Sequence, residues 1–360
     1  MVYTPAFTKL LYGLLGLFAW GHSALAQVGL REIQSHGMPI RVLYPSAEAN
    51  KPLKNGPFAF EAAPDAPALP GAHRLVVLSH GSGGSQIEGH ALAATLVRAG
   101  FVVAQPLHRG DNFQDFSQAG PASWQTRPGE ISETIHALSQ DATLGPMLQT
   151  DRVGVHGMSA GGVTGLALAG AQWRMIDLIH HCNEHLDADI GFCLYGLKTS
   201  PAMQLFRRFQ FALTRWTPEA LLPTNLFTVH GGLAKTDDPR PDPRVAAVSV
   251  LVPVGAIFTP GSLARIRIPV GVTVAEADGV LTPGFHSGHV LHHCAACRVL
   301  STHPDAGHFD WLSPWPDRLA REIAAVQMRD GLPNPAFTNA QRQSGFDRIA
   351  TFFVQQLNKP

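Results

Sequence analysis

The chain has 360 residues, of which 45% are hydrophobic and 15% are charged. This composition is typical of a globular protein with a sizeable core, and it excludes an intrinsically disordered chain. Acidic and basic side chains balance at 27 each, so no net charge attracts nucleic acid, and we expect no nucleic-acid partner.

The first 26 residues are predicted to be a signal peptide. Lys9 supplies a single positive charge near the amino terminus, and an apolar run follows from Leu10 to Trp20. The small residues Ser23 to Ala26 match a processing site before Gln27. The apolar run is short for a membrane span, and a retained anchor is the alternative. We therefore expect an exported protein, periplasmic or secreted, with no membrane span in the mature chain.

The rest of the chain alternates between predicted strands and helices. Continuous apolar runs such as Leu75 to Leu78 are typical of strands that are buried on both faces. Strands are predicted at 40–45, 75–78, 101–104, 153–155, 246–252, 269–274 and 297–300. Helices are predicted at 88–99, 131–138, 161–171, 317–329 and 339–357. This alternation predicts an α/β fold with a mostly parallel central sheet flanked by helices, and residues 46–72 are predicted to be a connecting loop.

The alternation breaks between residues 172 and 243, where Trp, Phe and Pro are frequent. We expect one domain over residues 27–360 with an inserted cap or lid at about 172–243. The cap contains an apolar set that could bind an acyl group, pack the cap against the core, or do both. The set consists of Phe206, Phe209, Phe211, Leu213 and Trp216.

Four cysteines suggest disulfides in an oxidising compartment, with three possible connectivities. The local pairs Cys182–Cys193 and Cys294–Cys297 close the shortest loops and are the expected ones. Loop entropy predicts stabilisation by about 3 and about 2 kcal/mol respectively. Such short loops fix local structure rather than hold the fold together.

The strongest chemical signal is Gly157-Met158-Ser159-Ala160-Gly161, which directly follows a predicted strand and precedes a helix. A serine at such a sharp turn projects its hydroxyl at the carboxyl end of the sheet, and glycines on either side allow close backbone approach. The start of the following helix directs amide groups towards developing negative charge. The motif predicts that Ser159 is a nucleophile, and a plain glycine-rich turn is the alternative.

A serine nucleophile needs a base and an acid, which should follow it in the order Ser, Asp, His. His308 lies just beyond the predicted strand at 297–300, and Asp278 lies just beyond the strand that ends at Val274. Both positions fall at the carboxyl ends of parallel strands, where ligand sites of such sheets lie. Ser159, Asp278 and His308 are therefore the expected catalytic residues. The competing acids are Glu276, Asp305 and Asp310.

Stabilising an oxyanion requires two backbone donors. The first is the amide of Ala160, and the second should come from the loop Ser79-His80-Gly81-Ser82-Gly83-Gly84. Ser82 is the expected donor in that loop, with Gly83 as the alternative. The loop lacks the Gly-Lys-Ser/Thr ending of a nucleotide-binding loop, so a phosphate cradle is discounted.

Together these motifs resemble the α/β-hydrolase superfamily, and in detail bacterial predicted dienelactone hydrolases, which are related to platelet-activating-factor acetylhydrolase. The matching features also include Val42 to Pro45, His108 to Phe113, and Arg127-Pro128. The resemblance implies a serine esterase that acts on short acyl esters, with a small-molecule ester as its substrate. Ser159 stands where dienelactone hydrolases carry a cysteine. A serine peptidase or polyester hydrolase on the same scaffold, or a non-catalytic binding protein, are the alternatives.

Two further polar clusters have structural interpretations. Arg109 and Asp111 are expected to pair and brace their loop, although they could also line the mouth of the site. The cluster of His286, His289, His292, His293, Cys294 and Cys297 matches no zinc spacing, and export favours a disulfide over thiolate ligands. His180 and His181 are likewise expected to be loop or surface histidines rather than metal ligands. We therefore expect no metal and no cofactor.

Overall fold

The computed structural model describes residues 26–194, 201–214, 241–313, 316–325 and 333–358. Residues 1–25 of the predicted signal peptide and Trp216 of the predicted cap lie outside these ranges. Among the helices within these ranges, none is both long enough and apolar enough to cross a membrane.

The strands of the described residues form one ten-stranded sheet in the order β10-β9-β8-β7-β5-β6-β2-β1-β4-β3. They are β1 Gln27–Ser35, β2 Met38–Ser46, β3 Lys51–Asn55, β4 Phe58–Pro64, β5 His73–Ser79, β6 Val102–Pro106, β7 Leu148–Met158, β8 Val245–Leu251, β9 Val270–Ala275 and β10 Cys297–His303. The six strands from β10 to β6 pair in parallel, whereas β2 joins β6 and β1 in antiparallel register. The parallel strands all end at one edge, which is where the candidate site lies.

Helices cover both faces of the parallel strands. They are α1 His90–Arg98, α2 Pro121–Ser139, α3 Ala160–Leu168, α4 Met175–His185, α5 Ile190–Cys193, α6 Pro201–Thr214, α7 Pro260–Leu263, α8 Ser287–His293, α9 Asp317–Ala325 and α10 Asn339–Leu357. Val76 of β5 packs in a cluster with α1 and α10, while its neighbour Val77 packs on the opposite face with α2 and α3. Because successive side chains of a strand point to opposite faces, the continuous apolar run of β5 fills both cores. The predicted α/β architecture is confirmed.

One prediction about the amino-terminal half was wrong, and one gave a helix that is too short. Residues 46–72 are not only a loop, because β3 and β4 pair as an antiparallel hairpin. The two turn residues are Gly56 and Pro57, and a glycine at the first of two turn positions, here with a φ of +55°, is a known hairpin signal. The helix predicted at 131–138 begins at Pro121 and passes through Pro128. Proline is favoured at a first helical position, and burial of Trp124 in the core stabilises the extra turns.

Candidate active site

Ser159 occupies a sharp turn between β7 and α3. Its backbone has a φ of 54° and a ψ of −116°, a conformation that is strained for a residue with a side chain. A Cβ atom on Gly161 would lie 2.0 Å from the carbonyl oxygen of Ser79, and one on Gly157 would lie 1.9 Å from that of Gly161. Glycine is therefore required at both positions for the turn to close against β5.

The three predicted site residues meet at the carboxyl edge of the sheet. Nε2 of His308 lies 3.0 Å from the Ser159 hydroxyl, and Nδ1 lies 2.8 Å from Oδ2 of Asp278. The other oxygen of Asp278 accepts the amides of Val280 and Leu281 at 2.9 and 2.7 Å. Because a carboxylate faces Nδ1, that nitrogen carries the proton of the neutral ring, and Nε2 is left to accept the serine proton.

The loops that carry the acid and the base are also joined through their backbones. The amide of Ala277 donates to the carbonyl of Ala306, and the amide of Glu276 donates to that of His303. The Glu276 side chain is exposed, so it does not approach the imidazole. Asp310 is buried, but its two carboxylate oxygens accept the amides of Gly307 and Asn334.

The glycine-rich loop at 79–84 lies against Ser159, since a Cβ on Gly81 would be 3.6 Å from the Cβ of Ser159. The amide of Gly83 donates to Oδ1 of Asp111 at 2.8 Å, which removes it as a donor to a ligand. Within the described part of the chain, the amides of Ser82 and Ala160 donate no hydrogen bond. These two are the predicted oxyanion donors, and both are available to a ligand.

The expected pairing of Arg109 with Asp111 is wrong. Asp111 pairs instead with Arg127 of α2 at 2.8 Å, and both side chains are fully buried. Arg109 turns to the surface and pairs with Glu133 at 2.9 Å. Although burial favours the protonated form of Asp111, the charge of Arg127 and the hydroxyls of Ser123 and Ser82 lower its pKa. Sequence reasoning missed Arg127 because a partner on another element leaves no local spacing signal.

A second serine, histidine and carboxylate chain lies buried beside the first. The Ser79 hydroxyl is 2.8 Å from Nε2 of His108, and Nδ1 of His108 is 2.6 Å from Glu130. Burial lowers the pKa of His108 and raises the pKa of Glu130, so the charged pair is disfavoured. Ser79 is only 2% exposed, so this chain has the hydrogen-bond pattern of the first without its access to a ligand.

A cavity of about 40 Å³ lies behind the glycine-rich loop. It is lined by Met158, Gln105, Trp311 and Glu88 among others, and it adjoins the base of the Ser159 turn. Burial raises the pKa of Glu88 to about 7, which leaves this carboxyl largely protonated in mildly acidic conditions. Nothing in the sequence around Glu88 signals this environment.

The members of the predicted apolar set that lie in α6 differ in burial. Phe211 is buried in the core, whereas Phe206, Phe209 and Leu213 are more than half exposed. Packing against the core thus accounts for Phe211 only. Two further aromatic side chains, Phe113 and Phe116, are exposed beside the glycine-rich loop, and the ring of Phe116 packs on Gly83. Phe113 and Phe116 thus add exposed apolar surface beside the glycine-rich loop.

Disulfides join Cys182 to Cys193 and Cys294 to Cys297, the pairing expected from loop length.

His181, Asp189 and His286 lie close enough together to suggest a metal site. However, Nδ1 of His286 accepts the amide of Gly255 at 3.0 Å, so the neutral ring carries its proton on Nε2, which faces Asp189 at 2.8 Å. That nitrogen donates a hydrogen bond and has no free lone pair for a metal. Asp189 also accepts from His181 and from the amide of Thr282, which ties α5 to the loop of Asp278.

No protein-family model and no curated protein match this chain. Among solved structures, 971 chains match it. One of them is the ferulic acid esterase from Streptomyces cinnamoneus, with a TM-score of 0.54 and 16% sequence identity over 95% of each chain. The chain has the α/β-hydrolase fold. At this identity the likeness concerns the fold alone.

Proposed function

We propose that this α/β-hydrolase-fold protein is a carboxylic ester hydrolase that acts through an acyl-enzyme on Ser159. The observation that carries the proposal is the continuous hydrogen-bonded chain from Ser159 through His308 to Asp278. The ester-cleaving activity named for the solved structure of similar fold agrees with it. The proposed substrate is a small ester with a short acyl chain, as the resemblance described above implies.

In the acylation step, Nε2 of His308 takes the proton of Ser159 while the hydroxyl oxygen attacks the ester carbonyl. The carbonyl oxygen becomes negative, and the amides of Ser82 and Ala160 are the donors proposed to stabilise it. Asp278 holds the imidazole in the required tautomer and stabilises its charged form. The ring then gives its proton to the departing alcohol, which leaves Ser159 as an acyl ester.

In the deacylation step, water replaces the alcohol. His308 takes a proton from the water, and the resulting hydroxide attacks the acyl carbonyl through a second tetrahedral intermediate. The proton returns to the Ser159 oxygen as its bond to the acyl group breaks. A free carboxylic acid leaves, and the enzyme regains its starting state. Each cycle therefore consumes one ester and one water.

The surroundings of the site fit a proposed role in binding apolar esters. The exposed rings of Phe113 and Phe116 flank the glycine-rich loop. Within the proposed cap, α6 carries the exposed apolar side chains of Phe206, Phe209 and Leu213. We propose that the segment at about 172–243 acts as the cap that limits acyl length. The two disulfides are compatible with export to an oxidising compartment.

The test is a panel of p-nitrophenyl esters graded from acetate to octanoate, with the purified protein and its Ser159→Ala variant. We expect the wild-type protein to cleave the short esters fastest and the variant to lose at least about 10³-fold in kcat while remaining folded. A fluorophosphonate probe should label Ser159 in the wild-type protein only. Full activity in the variant would refute the proposal.

Peptide amides and a polyester film, added to this panel, distinguish the alternatives. Faster cleavage of peptide amides than of esters would identify a peptidase, and release of soluble acids from a polyester film would identify a polymer hydrolase. Absence of both labelling and turnover in a folded protein would indicate a binding protein. Arg74→Ala is a suitable control variant, since Arg74 lies near the amino end of β5, opposite the site, and pairs with Asp151.

A further inference from the structure

A buried ion pair lies directly beneath the glycine-rich loop at 79–84. Asp111 follows β6 and Arg127 belongs to α2, so two separate elements converge on the loop. Both side chains are fully buried, and Arg127 is among the largest side chains in the interior. A buried pair of this kind contributes little net stability, because the cost of removing both charges from water offsets their attraction. Its position therefore calls for another explanation.

Arg127 binds the backbone of the loop rather than its side chains. Nη1 donates to the carbonyl oxygen of His80 at 2.6 Å, and Nη2 donates to that of Gly81 at 3.3 Å. The His80 ring also donates from Nδ1 to the Gly81 carbonyl at 2.7 Å, and its Nε2 accepts the amide of His108. The Gly81 oxygen is thus held on the inner side of the loop.

The orientation of the Gly81 carbonyl determines the direction of the next amide. The Gly81–Ser82 peptide is planar, and in a trans peptide the C=O and N–H bonds point in opposite directions. With the oxygen of Gly81 turned inward to Arg127, the Ser82 amide points away from the interior. Hydrogen bonds to a carbonyl also polarise its peptide, which strengthens the N–H as a donor.

Asp111 removes the competing donors of the same loop. Its Oδ1 accepts the Ser82 hydroxyl at 2.7 Å and the Gly83 amide at 2.8 Å. Its Oδ2 accepts from Arg127 at 2.8 Å and from the Ser123 hydroxyl at 2.6 Å. With these groups satisfied internally, the amide of Ser82 is left for a ligand.

We infer that Arg127 and Asp111 are positioning residues that preorganise the Ser82 amide as an oxyanion donor. This inference rests on the proposed esterase function. Neither residue touches the substrate. Arg127 fixes the Gly81–Ser82 peptide from below, and Asp111 keeps the rest of the loop from rotating. Preorganised donors of this kind stabilise the transition state far more than the bound ester, so their loss should affect kcat rather than KM.

The test compares the double variant Asp111→Asn/Arg127→Met with wild type on p-nitrophenyl acetate. Removing both charges leaves no unpaired buried ion, so the fold should persist. We expect kcat to fall by about 10- to 100-fold with KM changed less than about threefold, as for the partial loss of one oxyanion donor. Affinity for a trifluoromethyl ketone, whose adduct on Ser159 carries an oxyanion, should fall in proportion to kcat/KM. Arg109→Met is the matched control and should keep wild-type values.

The outcomes test the positioning role and the esterase proposal separately. A folded double variant with wild-type kcat would refute the positioning role and leave the esterase proposal intact. A wild-type protein with neither turnover nor labelling of Ser159 would refute both. If the double variant does not fold, Arg127→Lys replaces it, because lysine keeps the buried charge but has one nitrogen in place of the planar guanidinium fork that spans the two carbonyls and Asp111. A fall in kcat of at least about fivefold is then expected, and unchanged kinetics would refute the role.

Discussion

The Ser159 hydroxyl lies 3.0 Å from Nε2 of His308, although the two residues are 149 positions apart in the chain. Ser159 directly follows β7, and His308 lies in the loop after β10. Parallel strands bring their carboxyl ends to one edge, so residues far apart in sequence meet there. The intervening strand β9 supplies Asp278 to the other side of the imidazole.

Asp278 should be needed for catalysis rather than for folding. In Asp278→Asn the side-chain amide can donate to Nδ1 of His308, which favours the wrong tautomer and leaves a proton on Nε2. We expect kcat for p-nitrophenyl acetate to fall by about 10³- to 10⁴-fold, with an unchanged far-UV circular dichroism spectrum. Glu276→Gln, two residues away and exposed, should stay within about twofold of wild type. Equal losses in the two variants would contradict the assignment of the acid.

The glycines of the Ser159 turn should not tolerate a methyl group. In Gly161→Ala the new Cβ would meet the Ser79 carbonyl at 2.0 Å, and neither backbone segment can move freely. We expect a loss of about 3 kcal/mol or more in the free energy of unfolding and at least about 100-fold in kcat. The matched control is Gly129→Ala in α2, where a Cβ meets nothing within 4 Å. That change should stabilise by about 0.5–1 kcal/mol, and similar effects in both variants would contradict the packing argument.

Residues that lie in a local sequence motif, or just after an apolar strand, could be predicted from the sequence. Ser159 lies in a motif, and Asp278 and His308 follow apolar runs that form strands, so their meeting follows from sheet topology. The partner of Asp111 could not be predicted, because Arg127 belongs to another element and nearby Arg109 offered a plausible local pair. The hairpin of β3 and β4 was missed because β3 is mostly exposed and lacks an apolar pattern.

Ser79 should not react although its hydrogen bonds resemble those of Ser159. The Ser79 hydroxyl contacts His108, which contacts Glu130, but all three are buried. We expect Ser79→Ala to retain fluorophosphonate labelling, with a modest loss of stability of about 1–3 kcal/mol because Nε2 of His108 loses its partner. Peptide mapping of the labelled wild-type protein should locate the adduct on Ser159. An adduct on Ser79 would show that the second chain is accessible and active.

The disulfide between Cys182 and Cys193 should stabilise the fold without being required for catalysis. It closes a loop with a sequence separation of 11, for which loop entropy predicts about 3 kcal/mol. Cys182→Ala/Cys193→Ala should lower the free energy of unfolding by about that amount in urea and keep kcat within about threefold. Cys294→Ala/Cys297→Ala, with a separation of 3, should cost about 2 kcal/mol. A larger loss from the second pair would contradict the entropic account.

Glu88 should make the protein less stable as the pH rises from about 4.5 to about 7. Its pKa is raised from the usual 4.5 to about 7 by burial, so in this window the folded protein binds the Glu88 proton more tightly than the unfolded chain does. Stability therefore falls as the pH rises through the window and is constant above it. Glu88 is partly exposed, so solvent screening reduces the effect, and we expect a total of about 1–3 kcal/mol.

Glu88→Gln tests this effect because glutamine has no proton to lose at these pH values. The free energies of unfolding in urea should be nearly equal for variant and wild type at pH 4.5, and the variant should be more stable by about 1–3 kcal/mol at pH 8. Buried histidines titrate in both proteins, so their contribution cancels in the difference. Glu61→Gln, at an exposed carboxylate, is the control and should leave the difference near zero at both pH values. A Glu88→Gln difference that did not grow with pH would show that this carboxyl is ionised in the folded protein throughout the range.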